Sequence, residues 1–152
     1  MTATVILSAL TIVSAGLHIG FGAKARRKPF YVFKPLTTVL IILVAGLART
    51  PVAAAYKTLI LAGLLASLAG DVLLMLPEKW FPAGLLAFLA AHVSYILAFR
   101  PGTGGGLSAP LLLPFILYGL LMFRMLAPGL GKLKVPVLVY TAAITALAWL
   151  AA

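Results

Sequence analysis

Apolar residues in this chain come in long runs, each closed by a short stretch containing proline, glycine or a basic residue. The breaks fall at Lys28-Pro29, Thr50-Pro51, Pro77, the glycine-rich Pro101-Gly102-Thr103-Gly104-Gly105-Gly106, and Pro128-Gly129 through Lys134. Between them lie six stretches, at about 3–22, 31–48, 53–76, 81–99, 108–126 and 135–152. A helix rising 1.5 Å per residue needs about 20 apolar residues to cross a bilayer core. In lipid the backbone finds no water, so a crossing segment closes its hydrogen bonds internally, as helix. The pattern predicts an all-α fold: a single polytopic transmembrane helix bundle of about six helices over residues 1–152.

Composition agrees. Hydrophobic residues are 64% of the chain and charged residues 9%, against roughly 45–50% and 25% in soluble domains. That leaves too little polar surface for a water-soluble globule. The net charge of +10 would point to nucleic acid in a soluble protein. Here the basic residues sit between apolar runs, where anionic headgroups and membrane topology account for them, so no nucleic-acid partner is expected. There is no cysteine, which excludes disulfides. The first run lacks a preceding positive segment, so it reads as a retained span, not a cleaved leader.

Charge distribution predicts orientation. The first, third and fifth loops carry Lys24, Arg26, Arg27, Lys28, Lys79, Lys132 and Lys134, with Arg124 close by. The second and fourth carry Arg49 and Arg100, with Lys57 nearby. The positive-inside bias puts the odd loops in the cytoplasm and the N-terminus outside, in a multi-pass protein of the cell membrane.

Within this frame Asp71 stands out, one of two acids in the chain and set in Leu64-Leu65-Ala66-Ser67-Leu68-Ala69-Gly70-Asp71-Val72-Leu73-Leu74. A carboxyl amid hydrocarbon protonates, finds a cation or lines a wet cavity, and such groups are functional by default hypothesis. It precedes Pro77 by six residues, about 9 Å of helix. Lys34 enters the second span from the same side, His18 lies about a turn from that end of the first, and Tyr140 is about 8 Å into the last. His92 is deeper on the fourth. Polar groups thus gather in the inner half of the bilayer, predicting a cytoplasm-facing cavity. Ser67, Gly70, Asp71 and Leu74 share one helical face; so do Gly84, Phe88, His92, Tyr95 and Phe99, and Lys34, Thr37, Thr38 and Ile41. Gly63 and Ser67 form a small-xxx-small pair that permits close helix approach.

Each candidate has a plainer reading. Asp71 is either a chemical acid or the ion-pair partner of Lys34. Lys34 is a headgroup-binding cation, that partner, or an anchor reaching to the interface. His92 and Tyr95 serve a site or form a hydrogen-bonded pair that fixes the bundle. His18 reads most simply as a packed histidine, and Tyr140 as an interfacial anchor. Glu78, Lys79 and Trp80 read as an interfacial turn. With two histidines and no cysteine, no metal site is expected. Neither G-x-S-x-G nor a nucleotide-binding fingerprint is present, and no cofactor is expected. The glycine-rich stretch lacks the Lys-Ser/Thr of a phosphate cradle and reads as a loop. Acid–base chemistry by a buried carboxyl group on a lipid-like substrate remains.

Four short motifs, in order, carry a more specific signal: Phe33-Lys34-Pro35-Leu36-Thr37-Thr38; Ser67-Leu68-Ala69-Gly70-Asp71 through Pro77; Phe81-Pro82-Ala83-Gly84 with Phe88 and Ala91-His92-Val93-Ser94-Tyr95; and Val135-Pro136 through Tyr140. In this arrangement the chain resembles the YhhN family of integral membrane proteins, which includes the lysoplasmalogenases. The resemblance implies hydrolysis of the vinyl-ether bond of a lysoplasmalogen or related ether lysophospholipid, releasing a fatty aldehyde and a glycerophospho head group. It implies Asp71 as general acid, with His92 and Tyr95 beside it. Lys34, Thr37, Thr38, Ser67, Tyr140 and His18 would contact substrate, with Lys34 holding the phosphate. Family members usually continue past a sixth span, and their last spans carry a second Ser-Asp motif. This chain has no second intramembrane aspartate, and its expected partners are the lipid substrate and membrane lipids. Two alternatives remain open: a non-catalytic lipid-binding or scaffold protein, and a proton-coupled transporter. Against the transporter, no inverted repeat or interrupted helix pair is evident.

Overall fold

Every apolar run folds as helix. The computed structural model describes residues 2–23, 27–48, 53–99 and 109–151. The helices are α1 (Thr2–Ala23), α2 (Arg27–Leu47), α3 (Ala54–Leu73), α4 (Phe81–Phe99), α5 (Ala109–Leu126) and α6 (Lys134–Ala151). All six are long and apolar enough to cross a membrane. Lys24, Arg26, Arg49, Thr50-Pro51, Arg100 and the glycine-rich stretch 101–106 lie outside the described residues.

The boundaries differ from the sequence reading in two places. α2 begins at Arg27, ahead of the expected 31, because a first-turn proline at position 29 gives up no helical hydrogen bond. Pro35 lies inside the helix. α3 stops at Leu73, short of the expected 76. Leu74 donates back to the Gly70 carbonyl, and residues 74–76 form a turn leading into the 3₁₀ segment Glu78–Trp80. Between α5 and α6 the chain makes two 3₁₀ turns, Ala127–Gly129 and Gly131–Leu133. Gly131 there has φ +50°, a left-handed conformation that glycine adopts without a Cβ clash.

The principal packing partners form a row in the order α1, α2, α3, α4, α6, α5. Sequence neighbours run antiparallel, but α4 and α6 lie side by side and parallel, with α5 leaning mainly on α6. The interior is small and the exterior large. Among the described residues the buried positions include Gly63, Gly70, Gly84, Ala91 and Ala98, and no large side chain is fully buried. Leucine, valine and isoleucine instead point outward along the helices. Lipid is as apolar as leucine, so helices gain by close approach through small residues and leave bulky ones to the bilayer.

The α3–α4 seam shows this most directly. A Cβ on Gly70 would stand 2.6 Å from Phe88 Cδ2, and one on Gly63 would run into the Tyr95 ring. Gly84 receives Leu74 in the same way, from the opposite helix. Stepping seven then four residues along α3 matches seven then four back along α4, so the two helices stay in register throughout. That register fixes the relative depth of every polar group they carry.

Candidate functional site

Asp71 sits in the last turn of α3, on the side facing α2. Its side chain is 12% exposed, and Lys34 Nζ lies 3.4 Å from Oδ1 with the lysine side chain 23% exposed. Thr38 Oγ1 donates to Oδ2 at 2.6 Å. The spacing explains why one helix supplies both partners: residues 34 and 38 are one turn apart and present neighbouring side chains on one face. The carboxylate is thus held by a cation on one oxygen and a hydroxyl on the other. Of the sequence-level readings of Lys34, the structure shows the ion-pair partner.

The expected stripes divide. Ser67, Gly70 and Leu74 face α4, whereas Asp71 faces α2. The hundred or so degrees between adjacent helical residues separates Gly70 from Asp71. On α2, Lys34 and Thr38 meet α3, but Thr37 meets α1: Thr37 donates to the Phe33 carbonyl at 2.7 Å and accepts from Ser14 at 2.8 Å. Thr37 therefore fixes the α1–α2 seam and does not contact Asp71 through these bonds.

His92 and Tyr95 do not form the pair expected of them. Tyr95 lays its ring over Gly63 and exchanges a hydrogen bond with Ser67 Oγ at 3.2 Å, closing the α3–α4 seam. His92 Nδ1 lies 2.6 Å from the Phe88 carbonyl. A carbonyl only accepts, so this nitrogen carries the hydrogen and Nε2 is the ring's remaining functional atom. The imidazole meets the Tyr140 ring edge-on, with centroids 5.2 Å apart. That contact joins α4 to α6. Since Gly70 lies opposite Phe88, Asp71 is level with Ala87, and His92 lies five residues, about 7.5 Å, deeper. His18 packs on Phe30 at 4.4 Å between centroids, and its Nδ1 is buried with no hydrogen-bond partner.

The structure therefore gathers Lys34, Thr38 and Asp71 at one seam and distributes the other candidates over three others. Ser14 with Thr37 joins α1 to α2, Ser67 with Tyr95 joins α3 to α4, and His92 with Tyr140 joins α4 to α6. Two contributors escaped sequence reasoning. Ser14 is 4% exposed, and its signal was the stripe Thr11, Ser14, His18 on α1. Lys57 was read only as a sparse loop charge. Its ammonium donates to the Gly46 carbonyl at 2.7 Å and the Ala48 carbonyl at 3.0 Å, capping the end of α2.

An open apolar groove of about 430 Å³ lies between α5 and α6, lined by residues such as Ile116, Gly119, Phe123, Leu138, Thr145 and Trp149. None of the sequence-predicted site residues lines it. The end of the bundle nearest Asp71 carries Lys28, Lys79, Lys132 and Lys134 with the single acid Glu78, and Lys57 lies toward the other end.

Comparison with known proteins places this geometry in context. The sequence model of the YhhN family matches residues 30–152. Membrane proteins named YhhN and described as uncharacterized, from Escherichia coli O6:H1, Escherichia coli O157:H7 and Shigella flexneri, are each 33% identical to the chain over 139 residues. The match covers 91% of this chain and 66% of each relative, so the chain spans about two thirds of their length. No solved structure matches.

Proposed function

Because the chain belongs to the YhhN family of membrane proteins, we propose that it is a membrane-embedded hydrolase acting on the vinyl-ether bond of a lysoplasmalogen or a related ether lysophospholipid. The observation that carries this reading is the buried carboxyl of Asp71, placed a short way below a basic bundle end and turned toward Lys34 and Thr38 instead of lipid. On this reading the basic end faces the cytoplasm of the cell that carries it.

The chemistry needs one proton delivered to carbon. Asp71 in its acid form protonates the vinyl-ether carbon β to oxygen, leaving an oxocarbenium ion and a carboxylate. Water adds to the cation and returns its proton to that carboxylate. The hemiacetal so formed collapses to aldehyde and a glycerol hydroxyl. Lys34 holds the substrate phosphate toward the basic end, and Thr38 fixes the orientation of the carboxyl group by its bond to Oδ2. His92 Nε2, Tyr95 and Tyr140 lie at the neighbouring α3–α4 and α4–α6 seams. A positioned acid of this kind contributes about 10²–10⁴-fold in rate. The purified protein in detergent is expected to release aldehyde from a lysoplasmalogen, and release should vanish in Asp71→Asn with folding intact.

A second reading rests on the same contacts. An acid already satisfied by an ammonium and a hydroxyl also suits a lipid-binding protein that performs no chemistry. Saturable lysophospholipid binding without aldehyde release would select it.

A further inference from the structure

The two oxygens of Asp71 have different partners, and only one of those partners is exchangeable. Thr38 holds Oδ2 from α2 across the seam, by a short hydrogen bond between part-buried groups. Lys34 holds Oδ1 at a looser 3.4 Å, and its side chain is about twice as exposed as that of Asp71. Of the two charged groups, the lysine is therefore the more accessible to an incoming anion and the acid the more enclosed. Lys34 ends in a flexible stem with three donors, so it can turn toward a new anion without any backbone movement.

We propose that the Lys34–Asp71 pair is an exchange site: a phosphate-bearing anion takes Lys34 away from Asp71, and Asp71 then takes up a proton on Oδ1. The proposal rests on the reading that a single-chain phospholipid is the ligand, and it adds how that ligand arms the acid. The balance is simple. One phosphate oxygen replaces one carboxylate oxygen at the ammonium, and one proton from solvent water joins the released carboxylate. No other bond is made or broken. A carboxylate that loses its cation in an apolar seam is more stable neutral. Because Thr38 still donates to Oδ2, the proton settles on Oδ1, the oxygen that Lys34 has released. Among the described residues, Asp71 takes its ion pair and its hydrogen bond from α2. From α2 the groups at Asp71 are Lys34 and Thr38, while on α4 the titratable groups are His92, whose Nδ1 bonds the Phe88 carbonyl and whose Nε2 lies about 7.5 Å deeper than Asp71, and Tyr95, which bonds Ser67.

Such a site reconciles two demands that otherwise conflict. Lys34 neutralises Asp71 while the protein is empty, so no unpaired charge is buried in the bundle. With ligand present, the same lysine serves the phosphate and leaves behind an acid where one is needed.

Titration calorimetry tests this in buffers of different ionisation enthalpy at pH 7, on the full chain in detergent. The probe is a saturated 1-alkyl lysophosphatidylcholine, whose ether bond cannot be cleaved by protonation. Binding should take up about one proton, so the association constant falls by up to about tenfold for each unit of pH increase. Asp71→Asn should bind at least as tightly, with no uptake. Lys34→Met should lose binding. Glycerophosphocholine serves as the chainless arm for uptake, with inorganic phosphate, which itself exchanges a proton near pH 7, compared for binding alone: uptake with glycerophosphocholine identifies the head group as sufficient, and uptake with the lysolipid alone makes the chain part of the trigger. Binding to the unsubstituted protein without uptake overturns the proposal, as does unchanged uptake in Asp71→Asn. Should the variants fail to fold, the uptake measured on the unsubstituted protein decides. Aldehyde release from a lysoplasmalogen without proton uptake removes the exchange and keeps the hydrolase. Uptake without aldehyde release does the reverse.

Discussion

Lys34 Nζ and Asp71 Oδ1 stand 3.4 Å apart across the α2–α3 seam, joining the cation at one helix's start to the acid at the other's end. Each residue is costly alone at this depth, and each is tolerable because of the other. Removing one partner therefore tests the second. Lys34→Met should destabilise the protein by about 3 kcal/mol, since it leaves a buried acid without its cation. Lys34→Met combined with Asp71→Asn should recover most of that loss. Thermal melting in detergent, arranged as a double-mutant cycle, reads the coupling directly, and additive losses would show that the two side chains do not interact.

The hydroxyl of Thr38 offers a finer probe. Thr38→Val keeps the shape and deletes the donor to Oδ2. The expected stability loss is about 1 kcal/mol. Thr38→Ser, which restores the hydroxyl, should restore the lost stability in part. A valine variant as stable as the parent would mean that water replaces the threonine.

At the α3–α4 seam the critical feature is the absence of a side chain. Gly70→Leu would push into Phe88, and Gly63→Leu into Tyr95. Either should cost about 1–3 kcal/mol by overpacking, or force the helices apart. Tyr95→Phe, which deletes only the bond to Ser67, should cost about 0.6 kcal/mol. Comparable melting temperatures for the leucine and phenylalanine variants would contradict the tight register.

Tyr140 separates packing from chemistry. Its contact with His92 is made ring edge to ring, so Tyr140→Phe should melt as the parent does. If the hydroxyl touches substrate, the same variant raises KM in an aldehyde-release assay. A changed melting temperature with unchanged kinetics would assign the hydroxyl a structural partner instead.

Lys57→Met removes the ammonium that caps α2 through Gly46 and Ala48. The helix end should fray, at about 1 kcal/mol, and the loss should be visible as faster amide exchange at the end of α2. Equal exchange rates there would show that the carbonyls find other donors.

The fold was legible because bilayer thickness imposes a length on apolar runs, and all six runs of this chain have it. The helix bounds differ from the apolar runs by a few residues where local chemistry outweighs hydropathy: Pro29 sits in the first turn of α2, and the turn after Leu73 ends α3 before its apolar run ends. The special position of Asp71 was also legible, since a carboxyl among leucines has few tenable fates. Which residue it meets was narrowed by depth alone, and Lys34 was among the candidates. What depth could not give was azimuth. Grouping Asp71 with Gly70, or His92 with Tyr95, followed from a helical stripe wide enough to touch two neighbours at once. Only the order of helices in the row tells which neighbour each residue meets. That order breaks at α5, where a chain-adjacent partner would be the natural guess and α6 takes its place beside α4.

The displaced position of α5 bears on biogenesis. Translation delivers this helix to the membrane before the one it leans on exists, while the flank of α4 is reserved for a segment still to be made. Insertion thus favours entry of α5 and α6 together as a hairpin, with α6 seating first and drawing its predecessor in behind it. A ribosome pausing between them would leave a four-helix sheet with one open margin and an unanchored fifth span drifting alongside.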